Sequence, residues 1–76
     1  MEKEFMDNMM EILENDEITL DDEFRNLEEW DSLSYLSTIA MIDDEHELVI
    51  PREDFSNLKT LRDILKYIKK DKEKNK

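Results

Sequence analysis

Seventy-six residues with a net charge of −11, no cysteine, no glycine and one histidine make one small domain, near the size at which a single core only just suffices. Neither disulfides nor a cysteine-histidine metal site can staple it, so packed helices must supply its stability. An acidic surface of this density repels nucleic-acid backbones and favours basic partners. No run approaches the ~18 apolar residues of a membrane span, and Met1-Glu2-Lys3-Glu4 is not the basic start of a signal peptide. The expectation is a cytoplasmic, monomeric protein with no affinity for nucleic acid or membrane; the absence of cysteine fits a reducing compartment. Charge is uneven: six Lys against Asp71 and Glu73 give Lys66 to Lys76 a charge of +4, leaving −15 on the first 65 residues.

The spacing predicts a first helix over 2–15, with Phe5, Met6, Met9, Ile12 and Leu13 on one face and acids and Asn on the other. Asn15 is the expected stop, since a chain without glycine turns to Asn or Asp for a left-handed cap. From Asp16 to Trp30 no helical period holds. Apolar residues nevertheless recur at Ile18, Leu20, Phe24 and Leu27, and they are expected to pin the segment across the helices. A short helical turn is expected near Asp21 to Phe24.

Asp31-Ser32, directly before an apolar-periodic run, is the signature of a helix N-terminus, where free N–H groups and the positive end of the helix dipole can hold a phosphate. Most such pairs only cap. A second helix is predicted from about Ser32 to Glu47, with Tyr35, Ile39, Ile42 and His46 as its core stripe. Leu33, Leu36 and Ala40 form a separate apolar edge, either exposed or packed beneath the long loop. Leu48-Val49-Ile50 reads as a buried crossing, because nothing else in the chain could pair with it as a strand. Pro51 opens a short third helix to about Phe55, anchored by Phe55 and Leu58. Thr60-Leu61-Arg62-Asp63 is a variant capping box for a last helix that turns Leu61, Ile64, Leu65 and Ile68 inward. The fold expected is all-α: a small four-helix bundle of three longer helices and one short one, with a long first loop. A domain over 1–70 is followed by a basic flexible tail over 71–76.

Asp31-Ser32-Leu33, with Trp30 in front and Ile50-Pro51 behind, resembles the attachment motif of the acyl carrier and peptidyl carrier proteins, and the resemblance covers roughly residues 3 to 70. It implies that Ser32 carries phosphopantetheine, moved from coenzyme A by a phosphopantetheinyl transferase, and that the arm's thiol holds an acyl or aminoacyl group as a thioester. It further implies that Asp31 supports recognition by that transferase. Leu33, Leu36 and Ala40 match hydrophobic contact positions, and Asp43 and Asp44 match acids that meet basic docking surfaces on ligases or transferases. Ser34 and Ser37 stand where fatty-acid carriers usually have acids, Trp30 replaces a small residue and His46 a bulky apolar one. These departures point to a specialised carrier serving a dedicated ligase or transferase in a biosynthetic pathway.

Catalysis by the chain itself is not expected. A serine hydrolase needs a base within about 3 Å of its nucleophile, whereas Ser32 and His46 on one helix lie roughly 21 Å apart. Asp43-Asp44-Glu45-His46-Glu47 lacks the alternating ligands and glycine of a calcium loop, so no metal site is expected. The competing class is an unmodified acidic helical module that binds a basic protein through the same surface.

Overall fold

The computed structural model describes residues 1–74, all of whose regular structure is helical apart from one isolated bridge between Glu23 and Thr60. Helix α1 spans Glu2–Leu13, α2 Ser32–His46, α3 Arg52–Phe55 and α4 Leu61–Lys74. The four-helix, acyl-carrier-like arrangement expected from the sequence is therefore the arrangement found. The expected tail over 71–76 falls in two parts: Asp71 to Lys74 continue α4, and residues 75–76 lie outside the described residues.

Helix α1 buries Phe5, Met9 and Leu13, three positions four residues apart that make one apolar ridge. Its stop differs from expectation. Glu14, not Asn15, takes the left-handed conformation (φ 52°, ψ 42°), and the Asn15 amide reaches back to the Met10 carbonyl at 3.1 Å. The helix ends where its apolar face ends, at Leu13, whichever residue follows. Asn15 is left free to start the loop, its Oδ1 accepting from the Glu17 amide at 2.9 Å.

The long loop is held by both its side chains and its backbone. Ile18 and Phe24 are buried, and Leu20, Leu27 and Trp30 pack against the core. The carbonyls of Leu20 and Asp22 accept from the amides of Arg62 and Leu61 at 2.8 and 3.2 Å, so the loop satisfies free donors at the start of α4. Asp21 meets Arg62 at 3.0 Å and Asp22 accepts from the Thr19 amide at 2.8 Å. With Asp21 and Asp22 committed in this way, the helical turn expected at Asp21 to Phe24 forms instead as a single 3-10 turn at Phe24–Asn26.

In α2 the core seam is rotated from the predicted stripe by roughly 70°, taking about 100° per residue. Its buried residues are Ser34, Thr38 and Ile42, while Tyr35, Ile39 and His46 are only partly buried. The polar pair is accommodated because both hydroxyls are satisfied locally. Thr38 donates to the Ser34 carbonyl at 2.8 Å and lies 3.9 Å from the Met9 sulfur of α1. After α2, Glu47 provides a second left-handed cap (φ 51°). The Leu48-Val49-Ile50 crossing is buried only at Ile50; Val49 faces outward, 63 % exposed.

Pro51 caps α3, and Phe55 is buried as expected. The variant capping box at α4 forms in both directions, Asp63 N–H to Thr60 Oγ1 and Thr60 N–H to Asp63 Oδ2, each 3.1 Å. Amide donors from Lys59 and Thr60 hold the Asp63 carboxyl below its usual pKa. Leu61, Ile64, Leu65 and Ile68 then complete the core.

Candidate functional site

The start of α2 is built around Asp31, whose extended backbone (φ −147°, ψ −173°) turns the chain into the helix. Its carboxylate accepts from the Ser34 amide at 2.8 Å, and the Ser34 hydroxyl lies 3.0 Å from both that carboxylate and the Glu29 carbonyl. These donors, the amide first, pull the Asp31 pKa below the ordinary carboxylate value, so Asp31 is ionised at neutral pH. Ser34 is thus a buried partner of the cap, a role hidden in the sequence because serine reads as a surface residue.

Ser32 opens the helix beside this cap. It is exposed, and among the described residues none engages its hydroxyl in a hydrogen bond. A hydroxyl left free at the positive end of a fifteen-residue helix is placed to carry or meet an anionic group.

Next to Ser32 lies a cleft of about 380 Å³, lined also by Trp30, Tyr35, Phe55, Arg25 and Arg52. Aromatic packing shapes it. Trp30 stands 4.7 Å from Phe24 and runs nearly parallel to Phe55 at 6.3 Å, and Tyr35 meets Phe55 edge-on at 5.0 Å. Trp30, whose part the sequence left open, ties the residue preceding Asp31 to this cluster. Arg25 lies over the Phe24 and Phe55 rings and donates to the Phe55 carbonyl at 2.9 Å and to the Leu58 carbonyl. The Arg52 guanidinium stands over Tyr35 at 5.6 Å. Neither arginine was picked out from the sequence. The available signal was compositional: two of the three arginines fall in otherwise acid-rich stretches.

The exposed edge of α2 runs away from the cleft. Leu33 and Leu36 are 70 % and 60 % exposed, which resolves the choice the sequence left between exposure and packing under the loop. Ala40, Asp43 and Asp44 are exposed further along the same helix, and Ala40 and Asp44 border a hollow between α1 and α2 that also includes Glu11 and Ile12. All residues singled out from the sequence therefore lie on one helix and its cap. Among the described residues no group of three metal-ligating side chains gathers, and no helix is long and apolar enough to cross a membrane.

An exposed serine at a helix N-terminus, an ionised aspartate before it and the Arg52 guanidinium on the adjoining cleft form, on a small four-helix fold, a site that suits a phosphate ester, and the class this points to is the helical carrier proteins. The family described as "Phosphopantetheine attachment site" matches residues 6–68, and the chain belongs to it. It is 34 % identical over 58 residues to an acyl carrier protein of Rhodococcus erythropolis, covering 76 % of this chain and 64 % of that one. It is 36 % identical over 55 residues to an acyl carrier protein of Exiguobacterium sibiricum, covering 72 % of this chain and 70 % of the relative. The matched segment thus spans just under two thirds of the first relative's length and just over two thirds of the second's. No solved structure matches the chain. Membership gives the chain a carrier role with covalently attached phosphopantetheine as its prosthetic group, in a family that is generally not catalytic.

Proposed function

We propose that Ser32 is the attachment point, and that the chain holds an acyl or aminoacyl cargo on the arm and presents it to partner enzymes without catalysing the chemistry itself. The observation that carries this reading is the free, exposed Ser32 hydroxyl beside the ionised cap Asp31. When bound, phosphopantetheine supplies a thiol that holds the cargo as a thioester. The protein's own residues present the serine and guide partners. Asp31, fixed by Ser34, keeps the helix start in one conformation and places a negative charge beside the modified residue for the transferase to read. Leu33, Leu36 and Ala40 offer apolar contact on the same helix, and Asp43 and Asp44 steer basic surfaces toward it.

The pathway we infer is a specialised one with a dedicated ligase or transferase, because the start of α2 departs from the acidic pattern of fatty-acid carriers. Ser34 and Ser37 are neutral hydroxyls where those carriers have acids, so neither supplies a charge at that face, and Ser34 is buried besides. A monomer in the cytoplasm fits a free thiol arm, since a reducing compartment keeps such a thiol from oxidising.

Incubation with coenzyme A and a broad-specificity phosphopantetheinyl transferase, followed by intact mass, tests this. Wild type should gain the mass of one phosphopantetheinyl group and Ser32→Ala none. A wild type that gains nothing overturns the attachment and leaves the acidic interaction module as the reading.

A further inference from the structure

Helices α1 and α2 meet along a buried seam, where the Met9 sulfur lies 3.9 Å from the Thr38 hydroxyl. Outside that seam they are not filled in. On the rim α2 presents Ser37 and Ala40, side chains too short to close the gap to α1, and an open hollow of about 620 Å³ remains between the two helices. It is larger than the cleft of about 380 Å³ beside Ser32. Ile12 of α1 and Met41 of α2 supply its apolar part; both are half-buried and pack against the core with their inner sides. Methionine is the apolar side chain that adapts most readily to a partner's shape.

Carboxylates stand on both walls of this trough, Glu11 on α1 and Asp44 and Glu45 on α2, all exposed. Elsewhere Asp7 is paired with Lys3 and Asp21 with Arg62, but these three have no ion pair or side-chain hydrogen bond among the described residues. No lysine or arginine lines the hollow; the five basic residues of the first 65 are Lys3, Arg25, Arg52, Lys59 and Arg62. Two packed helices with an apolar trough between them seat a third helix, which lays its own apolar stripe into the trough. Acids on both walls select a helix that carries Lys or Arg on either side of that stripe and repel an acidic one. From Ser37 to Asp44 the α2 wall is two turns long, about 10 Å, which fixes the contact at about two turns of the incoming helix.

We propose that the hollow between α1 and α2 is a second docking surface, which takes a basic amphipathic helix of a partner protein and leaves Ser32 accessible. Met41 and Tyr35, which lines the cleft beside Ser32, lie about 120° apart round α2 at about 100° per residue. A helix in the hollow therefore anchors the domain from the α1 side while the serine stays open to enzymes. The proposal does not rest on Ser32 being the attachment point. Ala40 and Asp44 border both the hollow and the exposed edge of α2, whereas Glu11, Ile12, Met41 and Glu45 belong to the hollow, so the test is made on these.

The probe is a synthetic amphipathic helix of Leu and Lys, about 14 residues or 21 Å long, titrated into the full chain labelled with nitrogen-15 and with carbon-13 on the methionine methyls. The expected result is saturable NMR shifts concentrated at the Glu11, Ile12 and Glu45 amides and the Met41 methyl. Glu11→Lys with Glu45→Lys should weaken binding about tenfold, and Met41→Ser about fivefold, the scale of one apolar anchor. A control reversal of two exposed acids outside the hollow, Glu28→Lys with Glu53→Lys, should cost about twofold or less at physiological salt. Should Met41→Ser lower the melting temperature, the two reversal pairs, both on exposed positions, decide the matter. Shifts centred on Leu33 and Leu36 or spread over the acidic surface, equal losses in the two pairs, or equal binding by a Lys peptide of the same charge without leucines would each overturn the proposal. With the Leu-Lys helix bound, transfer of phosphopantetheine from coenzyme A should proceed within about twofold of the rate without it; a block would overturn the claim that the serine stays open. A chain that is never modified, with or without the peptide, bears on the attachment site alone, and the shift map then stands by itself.

Discussion

His46 sits at the end of α2 with Nδ1 buried and without a hydrogen-bond partner. Burial first, then the charge of Lys72, pushes its pKa below the ordinary value of 6.5; Glu45 and Glu4 pull the other way and the N-terminal amine adds a further lowering. A base whose folded pKa is depressed binds fewer protons folded than unfolded. Its contribution to stability is therefore complete above the unfolded value and is lost as pH falls below it. Urea unfolding should show wild-type stability declining from about pH 7.5 to about pH 5.5, with His46→Phe removing this dependence and gaining about 1 kcal/mol, the scale of one unsatisfied buried polar atom. A flat wild-type profile, or a loss in His46→Phe, would mean that the imidazole makes a polar contact worth keeping. Periodicity placed His46 on the inner side of α2 but could not set the sign, which depends first on how far the fold buries the ring and then on Lys72 arriving from α4.

At the scale of elements, α2 is the most informative. Its buried seam of Ser34, Thr38 and Ile42 and its exposed leucines invert the usual ordering of polar and apolar faces. Helices α1 and α4 were legible because apolar side chains mark their inner faces. The seam of α2 was not, since a hydroxyl satisfied by the carbonyl four residues back looks polar in the sequence and behaves as core. The caps at Glu14 and Glu47 were illegible for a related reason: helix length, and not the residue best suited to positive φ, decides where the turn falls. Exposed Leu33 and Leu36 beside Asp43 and Asp44 give the docking proposal its test. Leu36→Ala should leave thermal stability within about 0.5 kcal/mol of wild type and slow loading by the cognate ligase about fivefold or more. Asp43→Lys with Asp44→Lys should slow it about tenfold at low salt, the difference shrinking as salt rises. Melting in Leu36→Ala, or loading unaffected by both changes, would remove this edge as the partner surface.

For the whole molecule, charge and site were legible to different depths. The carrier class was readable from the three residues Asp31-Ser32-Leu33 and the helix pattern around them. The cleft was not, because Arg25, Tyr35 and Arg52 come from a loop and two helices that only the fold brings together. Acidity was plain from composition, and the structure adds that two ion pairs among the described residues, Lys3 with Asp7 and Arg62 with Asp21, lie on the surface. Surface pairs offset little of the repulsion in a domain whose stability margin is of the order of 5–10 kcal/mol. Added sodium chloride or magnesium should therefore raise the melting temperature, on the order of 5 °C for each kcal/mol of repulsion screened. A flat or falling response in differential scanning calorimetry would show that the acids are already balanced locally.

One hydroxyl, Ser32 at the capped start of α2, is the proposed carrier of the prosthetic group. Tandem mass spectrometry of peptides from the loaded protein locates the group directly. Phosphopantetheine is expected on Ser32 alone; finding it on Ser34, Ser37 or Ser56 would contradict the assignment.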